Sequence, residues 1–258
     1  MRRNLKELIA YSVQATDDKI GKVDDFYFDD ERWTVRYMVV NTGHWLPGRK
    51  VLISPVSLLQ PDWETKTFPV NLTKEQVRKS PDINTAKPVS RQQEAELHKY
   101  YAWPAYWGIP SYPVAGYGIA PAPVVAVGVT TEPRTARSKR GKTSRSKGDP
   151  HLRSTNDVRG HYLQATDGEI GHVEDFIVDD ETWEIGYLVV DTRNWLPGRK
   201  VLVSPEWIER VSWAESKVIV DVSRESIKNS PVFDPSKPVN MDYEGKLHDY
   251  YGRPKSSK

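Results

Sequence analysis

The feature that most constrains this chain is that it contains itself twice, at a constant offset of 150 residues and with no gap. Gln14-Ala15-Thr16-Asp17 returns as Gln164-Ala165-Thr166-Asp167, and Trp45 to Leu52 returns unchanged as Trp195 to Leu202. Of the 94 positions that align residues 11–104 with 161–254, about 41 are identical. A unit of this size can bury a core of its own, unlike the shorter repeats of solenoids, so the repeat implies two copies of one domain.

Within a unit the pattern is that of a small β domain. Trp33, Val35, Tyr37 and Val39 alternate with Thr34 and Arg36, after which Met38 and Val40 make both faces apolar. This predicts a strand half exposed at its start and buried at its end. Asp29-Asp30-Glu31-Arg32 before it reads as a four-residue hairpin loop, matched by Asp179-Asp180-Glu181-Thr182. Further strands are expected at residues 50–53, around 58–62 and at 67–72. Short strands with tight turns predict a closed or nearly closed antiparallel barrel.

The period then changes. Thr73-x-x-Gln76 is a capping-box pattern ahead of a short helix that Ser80-Pro81 ends, and a second helix is expected from about Ser90 to Tyr101. The fold class is therefore mainly β, two small barrels each with a short C-terminal helical tail. The domains are placed at 1–104 and 158–258, with a linker at 105–157. That linker is uncharged and rich in Pro, Gly and aromatic residues at first, then basic, with Arg134, Arg137, Lys139, Arg140, Lys142, Arg145 and Lys147. Its composition suggests disorder. As a flexible coil of roughly 50 residues it would span about 40 Å, so the barrels need not touch.

Charge and composition narrow the function. By region the formal charge is +2 for residues 1–104, +5 for 105–157 and −5 for 158–258, within the overall +2. There is no cysteine, which excludes disulfides, thiol nucleophiles and thiolate metal sites and permits a reducing, cytoplasmic setting. The prolines and glycines of the uncharged stretch rule out a transmembrane helix there, and Lys6 and Glu7 interrupt the amino terminus too early for a signal peptide or anchor.

No nucleophilic triad, P-loop or G-x-G-x-x-G pattern appears, so no catalytic residue and no cofactor is expected. Asp24-Asp25 and Asp29-Asp30-Glu31, echoed by Glu174-Asp175 and Asp179-Asp180-Glu181, offer carboxylates to a hard cation, but the spacing matches no Ca²⁺ loop and reads as solvated turns and strand ends. No metal site is expected. Only His98 and His248 are equivalent histidines, each beside a leucine and two tyrosines on a predicted helix, the setting of a packing or capping group.

In the invariant Trp45 to Leu52 segment, Pro47, Gly48, Val51 and Leu52 read as a turn and a strand. Trp45, Arg49 and Lys50, with Trp195, Arg199 and Lys200, are the candidate partner-binding residues: an aromatic anchor and two cations for an acidic partner. The basic linker has three readings: phosphates of a nucleic acid, an anionic membrane surface helped by the aromatics on its N-terminal side, or a solvated spacer.

Ala15-Thr16-Asp17-x-x-Ile20-Gly21-x-Val23-x-Asp25-Phe26, then Trp33-x-Val35-Arg36-Tyr37-x-Val39-Val40, then Trp45 to Pro55 together resemble a PRC-barrel domain. That fold is shared by the cytoplasmic part of the H subunit of the purple-bacterial photosynthetic reaction centre, the nearer branch, and by the C-terminal domain of the bacterial ribosome-maturation factor RimM. The resemblance implies a bacterial, non-enzymatic tandem interaction module that docks on protein assemblies, in the cytoplasm or peripherally at the inner membrane. The alternatives it carries are an RNA-processing or ribosome-assembly factor and an accessory subunit of a photosynthetic electron-transfer complex. The tandem arrangement implies a bivalent scaffold.

Overall fold

A computed structural model of the chain describes residues 1–85, 88–107, 151–192 and 199–253. The basic run from Arg134 to Lys147 and Trp195 lie outside these residues. The first half comprises β1 (Arg2–Asn4), α1 (Leu5–Leu8), β2 (Ser12–Gln14), β3 (Lys19–Asp29), β4 (Thr34–Asn41), β5 (Lys50–Ile53), β6 (Thr67–Pro69), α2 (Lys74–Lys79) and α3 (Arg91–Tyr101). The second repeats it with β7 (Leu152–Ser154), α4 (Thr155–Val158), β8 (Tyr162–Ala165), β9 (Gly168–Asp179), β10 (Ile185–Asp191), β11 (Lys200–Val203), β12 (Ile208–Ser212), β13 (Lys217–Val220), α5 (Arg224–Asn229) and α6 (Met241–Tyr251).

The local signals act as expected. On β4, Val35, Tyr37 and Val39 are buried while Thr34 and Arg36 are half-buried, and Met38 and Val40 then bury the other face. Thr73 and Gln76 form a reciprocal capping box on α2, as do Ser90 and Gln93 on α3. Such caps satisfy N–H groups that the first helical turn leaves without partners. A Cβ on Gly21 would lie 2.2 Å from the Asn41 carbonyl, and one on Gly171 2.3 Å from that of Asp191. Both glycines sit at φ beyond +130°, so each copy needs glycine where β3 or β9 meets the end of its neighbour.

Two expectations about the sheets are corrected. Among the described residues the strands run in open paths, β5-β4-β3-β2-β6 and β11-β10-β9-β8-β13-β12, and do not close into barrels. Another chain segment covers the β11 end: the N–H of Phe233 donates to the Lys200 carbonyl at 2.8 Å. Nor is the pairing antiparallel throughout, because β2 pairs β6 in parallel and β8 pairs β13 likewise. In the first half, the segment at 58–62 is reduced to bridges at Leu58↔Val70 and Asp62↔Thr67; its counterpart forms the full strand β12.

The expectation that the halves need not touch is also overturned, because each lends its first strand to the other. β1 pairs with β9 (Arg2↔Asp179, Arg3↔Val178, Asn4↔Ile177), and β7 pairs with β3 (Leu152↔Asp29, Arg153↔Phe28, Ser154↔Tyr27). β7 and the start of α4 therefore lie ahead of the expected boundary at residue 158, within the stretch assigned to the linker. Arg3 reaches Asp180 at 2.8 Å and Arg153 reaches Asp30 at 2.9 Å. The same guanidiniums lie over Trp63 at 3.4 Å and Trp213 at 3.9 Å. At the centre, Val35 N–H donates to Trp183 O at 2.9 Å and Ile185 N–H to Trp33 O at 2.7 Å.

Each of these contacts recurs when 150 is added to or subtracted from its residue numbers, which is the signature of an isologous, two-fold interface between the repeats. The core runs through it. Phe28 meets Phe176 at 5.7 Å, and Trp183 lies 5.9 Å from Phe26 and 6.2 Å from Phe68. Leu5, Leu8 and Val158 on the exchanged arms are buried. At about 25 cal/mol per Å² of apolar surface, such burial favours the joined halves over separated ones.

Candidate functional site: a cleft beside Trp45

The turn after α1, the start of β3 and the loop after β4 enclose a cleft of about 570 Å³ in the first half. Ile9, Ala10 and Val23 form its apolar side, and Trp45 closes one end. Trp45 is half-buried, and its indole N–H donates to the Ile20 carbonyl at 2.7 Å, which fixes the ring. The Lys74 ammonium stands 5.0 Å from the ring centroid and pairs with Asp18. Lys19 and Lys22 are exposed on the rim, and among the described residues neither makes an ion pair. Asp24, in the same wall, is paired with Lys50 at 2.8 Å.

Of the expected binding residues in this half, Trp45 lines the cleft and the two cations hold the fold. Arg49 donates to the Arg78 carbonyl at 2.9 Å, to the Ser80 carbonyl and to Pro81 O at 3.0 Å, and lies 3.3 Å from Asp82. It thereby satisfies the carbonyls that end α2. Arg199 likewise donates to the Ser230 carbonyl, and Lys200 pairs with Glu174 at 2.7 Å.

The paired carboxylates have a different role from the one read in sequence. Asp25 and Asp175 are buried, not solvated. Asp25 accepts from Ser154 and Thr155 hydroxyls at 2.5 and 2.7 Å and from Asn156 N–H at 3.2 Å, so it caps α4 of the other half. Asp175 accepts from Lys6 N–H at 3.0 Å at the start of α1. Burial raises the pKa of both, that of Asp175 to about 6. No group of three or more His, Asp or Glu among the described residues is placed to hold a metal ion.

His98 and His248 are packing and capping groups. His98 Nδ1 lies 3.1 Å from Pro104 O, so it carries the proton, and Nε2 lies 2.7 Å from the Tyr37 hydroxyl oxygen. His248 does the same with Arg253 O at 2.8 Å and Tyr187 at 2.9 Å. Burial lowers the pKa of His98, in keeping with a neutral ring. Beside it Glu94, fully buried, gathers Tyr37 at 3.1 Å, Arg91 at 3.3 Å, Tyr106 and His151. Tyr106 and His151, on either side of the segment 108–150, thus meet at one carboxylate. Glu94 and Glu244 are identical in the repeat, a signal available in the sequence; nothing there marked Lys19, Lys22 or the arm residues Arg2 and Arg3.

No helix among the described residues is long and apolar enough to cross a membrane. A search among curated proteins finds no match to the chain. The family model of the PRC-barrel domain matches residues 2–77 and again 153–227, each segment starting within an exchanged arm whose partner strand lies in the other segment. Together these segments cover more than half of the sequence, and the chain belongs to the PRC-barrel domain family, which it carries in tandem.

Proposed function

We propose that this chain is a non-enzymatic docking protein, a covalently joined pair of PRC-barrel domains that binds protein assemblies, peripherally at the inner face of the bacterial membrane. PRC-barrel domains support an interaction role in general. The observation that carries the reading is the cleft at Trp45: an apolar recess of about 570 Å³ on a β scaffold, rimmed by two lysines that make no ion pair among the described residues. A recess of that size, with a few polar groups around apolar walls, is of the kind that takes a ligand or a partner's side chains. The buried polar groups of each half, Glu94 with Tyr37 and His98 above all, serve cohesion in this account, which leaves the surface for binding.

Affinity purification of the tagged full chain from host membranes and cytosol tests the reading, with Trp45→Ala as the comparison. Discrete partners should be retained by the natural protein and lost with the variant, while the thermal melt of the variant shows that it is folded. Recovery of nothing beyond the tag control would contradict it.

A further inference from the structure

The two halves differ most where the cleft lies. Lys19 and Lys22 on the rim of the first half stand where the second has Glu169 and His172. Ile9 on the apolar side corresponds to Arg159, whose guanidinium is drawn to Asp175 at 3.5 Å. Glu169 is paired with Lys217 at 2.8 Å. Among the described residues, the second half therefore lacks the isoleucine of the apolar side and both rim lysines, although the fold beneath is the same.

We propose that the first half's cleft binds an acidic peptide segment of a partner protein, one in which a carboxylate neighbours an aliphatic or aromatic side chain, and that the second half has no such site. The proposal rests on the docking role above and specifies its chemistry. An apolar side chain would sit against Ile9, Val23 and Trp45, while carboxylates meet Lys19 and Lys22; charge complementarity of this kind sets partner choice and encounter rate. Asn41 is exposed at the border of the same recess, where its side-chain amide N–H can donate to a peptide backbone. The recess is concave and its anchor Trp45 is half-buried, a shape for a protruding side chain and not for the plane of a lipid surface.

The test uses the full chain at low ionic strength and a fluorescein-labelled peptide of about ten residues alternating Glu and Leu, with Lys-Leu and Ser-Leu counterparts. The Glu-Leu peptide should bind best, and Lys19→Glu with Lys22→Glu should weaken it by about tenfold or more, since two exposed ion pairs become repulsions. Both lysines are exposed, so the melt of the double variant should not move. Glu169→Arg and His172→Lys in the second half should leave the affinity unchanged in an otherwise natural chain, because Arg159 stands there in place of Ile9. Equal binding of the three peptides, or a Glu-Leu affinity indifferent to the lysines, would overturn the proposal. So would a dependence on the two lysines found only with phosphatidylserine vesicles. If host partners are lost with Trp45→Ala but kept by the double lysine variant, the acidic-peptide chemistry is wrong and the docking role stands.

Discussion

The first and second halves share one backbone plan and differ in how equivalent spaces are filled. Trp103 in the first half donates its indole N–H to Ser57 Oγ at 2.8 Å. In the second the large residue is Trp207, at the position of Ser57, and Arg253 stands at the position of Trp103, 5.9 Å from the Trp207 ring. One tryptophan is supplied from either side of the same contact. Around the buried glutamates the exchange crosses the interface. Arg36 stacks over Tyr106 at 4.1 Å, whereas its counterpart is Gly186, and a Cβ there would lie 2.8 Å from an Arg2 guanidinium nitrogen. The arm of the first half thus delivers Arg2 to Glu244 at 3.2 Å. Internal positions have changed in compensating pairs, while exposed ones, such as Val56 and Leu59 against Glu206 and Glu209, have changed without compensation. The difference teaches that the joined fold was kept and the surfaces were freed.

The largest effect should come from breaking the cross-half caps. Asp25→Ala removes the acceptor of two hydroxyls and an N–H of the other half, and should cost about 3–5 kcal/mol in denaturant unfolding. Asp175→Ala should cost less, because Leu5 stands where Thr155 does and offers no hydroxyl. Equal costs would mean that the arms are held by packing alone.

Importing the second half's solution into the first is the next test. Ser57→Trp alone should destabilise by about 2–3 kcal/mol through overpacking against Trp103. Adding Trp103→Arg should recover most of the loss, and a thermodynamic cycle reads the coupling. Additive costs would show that the two arrangements are not interchangeable.

Acidity separates the halves a little less. The folded pKa of Asp175, about 6, lies above its ordinary 3.8, so the folded state holds the extra proton between those values. Stability from this group is therefore fully present below pH 3.8 and is lost as pH rises through about 6, by up to ~3 kcal/mol. The depressed His98 and His161 act oppositely, losing stability as pH falls through their folded pKa values. Asp175→Asn should thus gain on the natural chain at pH 7 relative to pH 5; parallel melting curves against pH would contradict the assignment.

Smaller still, Arg49→Ala should cost about 1–2 kcal/mol by freeing the carbonyls that end α2. Lys50→Ala, which breaks a partly exposed pair with Asp24, should cost less than about 1 kcal/mol. A reversed order would contradict the assignment of Arg49 to the end of α2.

What could be read in the sequence was local. The capping box at Thr73, the two-faced burial of β4 and the packing role of His98 follow from neighbours within one turn or one strand. The exchanged arms do not, because Arg2-Arg3-Asn4 is uninformative until Asp179, Asp180 and the ring of Trp63 are brought to it. Asp25 looked like a strand-end carboxylate for the same reason: its partners are Ser154 and Thr155, far along the chain. Chain statistics for the linker could not register that Tyr106 and His151 meet at Glu94. For the site, Trp45 was visible as part of the longest identity, whereas Lys19 and Lys22 were hidden because identity between copies marks what the copies share and these residues differ.

The central claim is that the two halves are one interlocked body through their exchanged arms. Cutting the full chain at a protease site introduced within 108–150, followed by size-exclusion chromatography and calorimetry under native conditions, tests it directly. The two fragments should elute together as a particle of the uncut size and melt in a single transition. Fragments that separate, or that melt as two independent units, would contradict it.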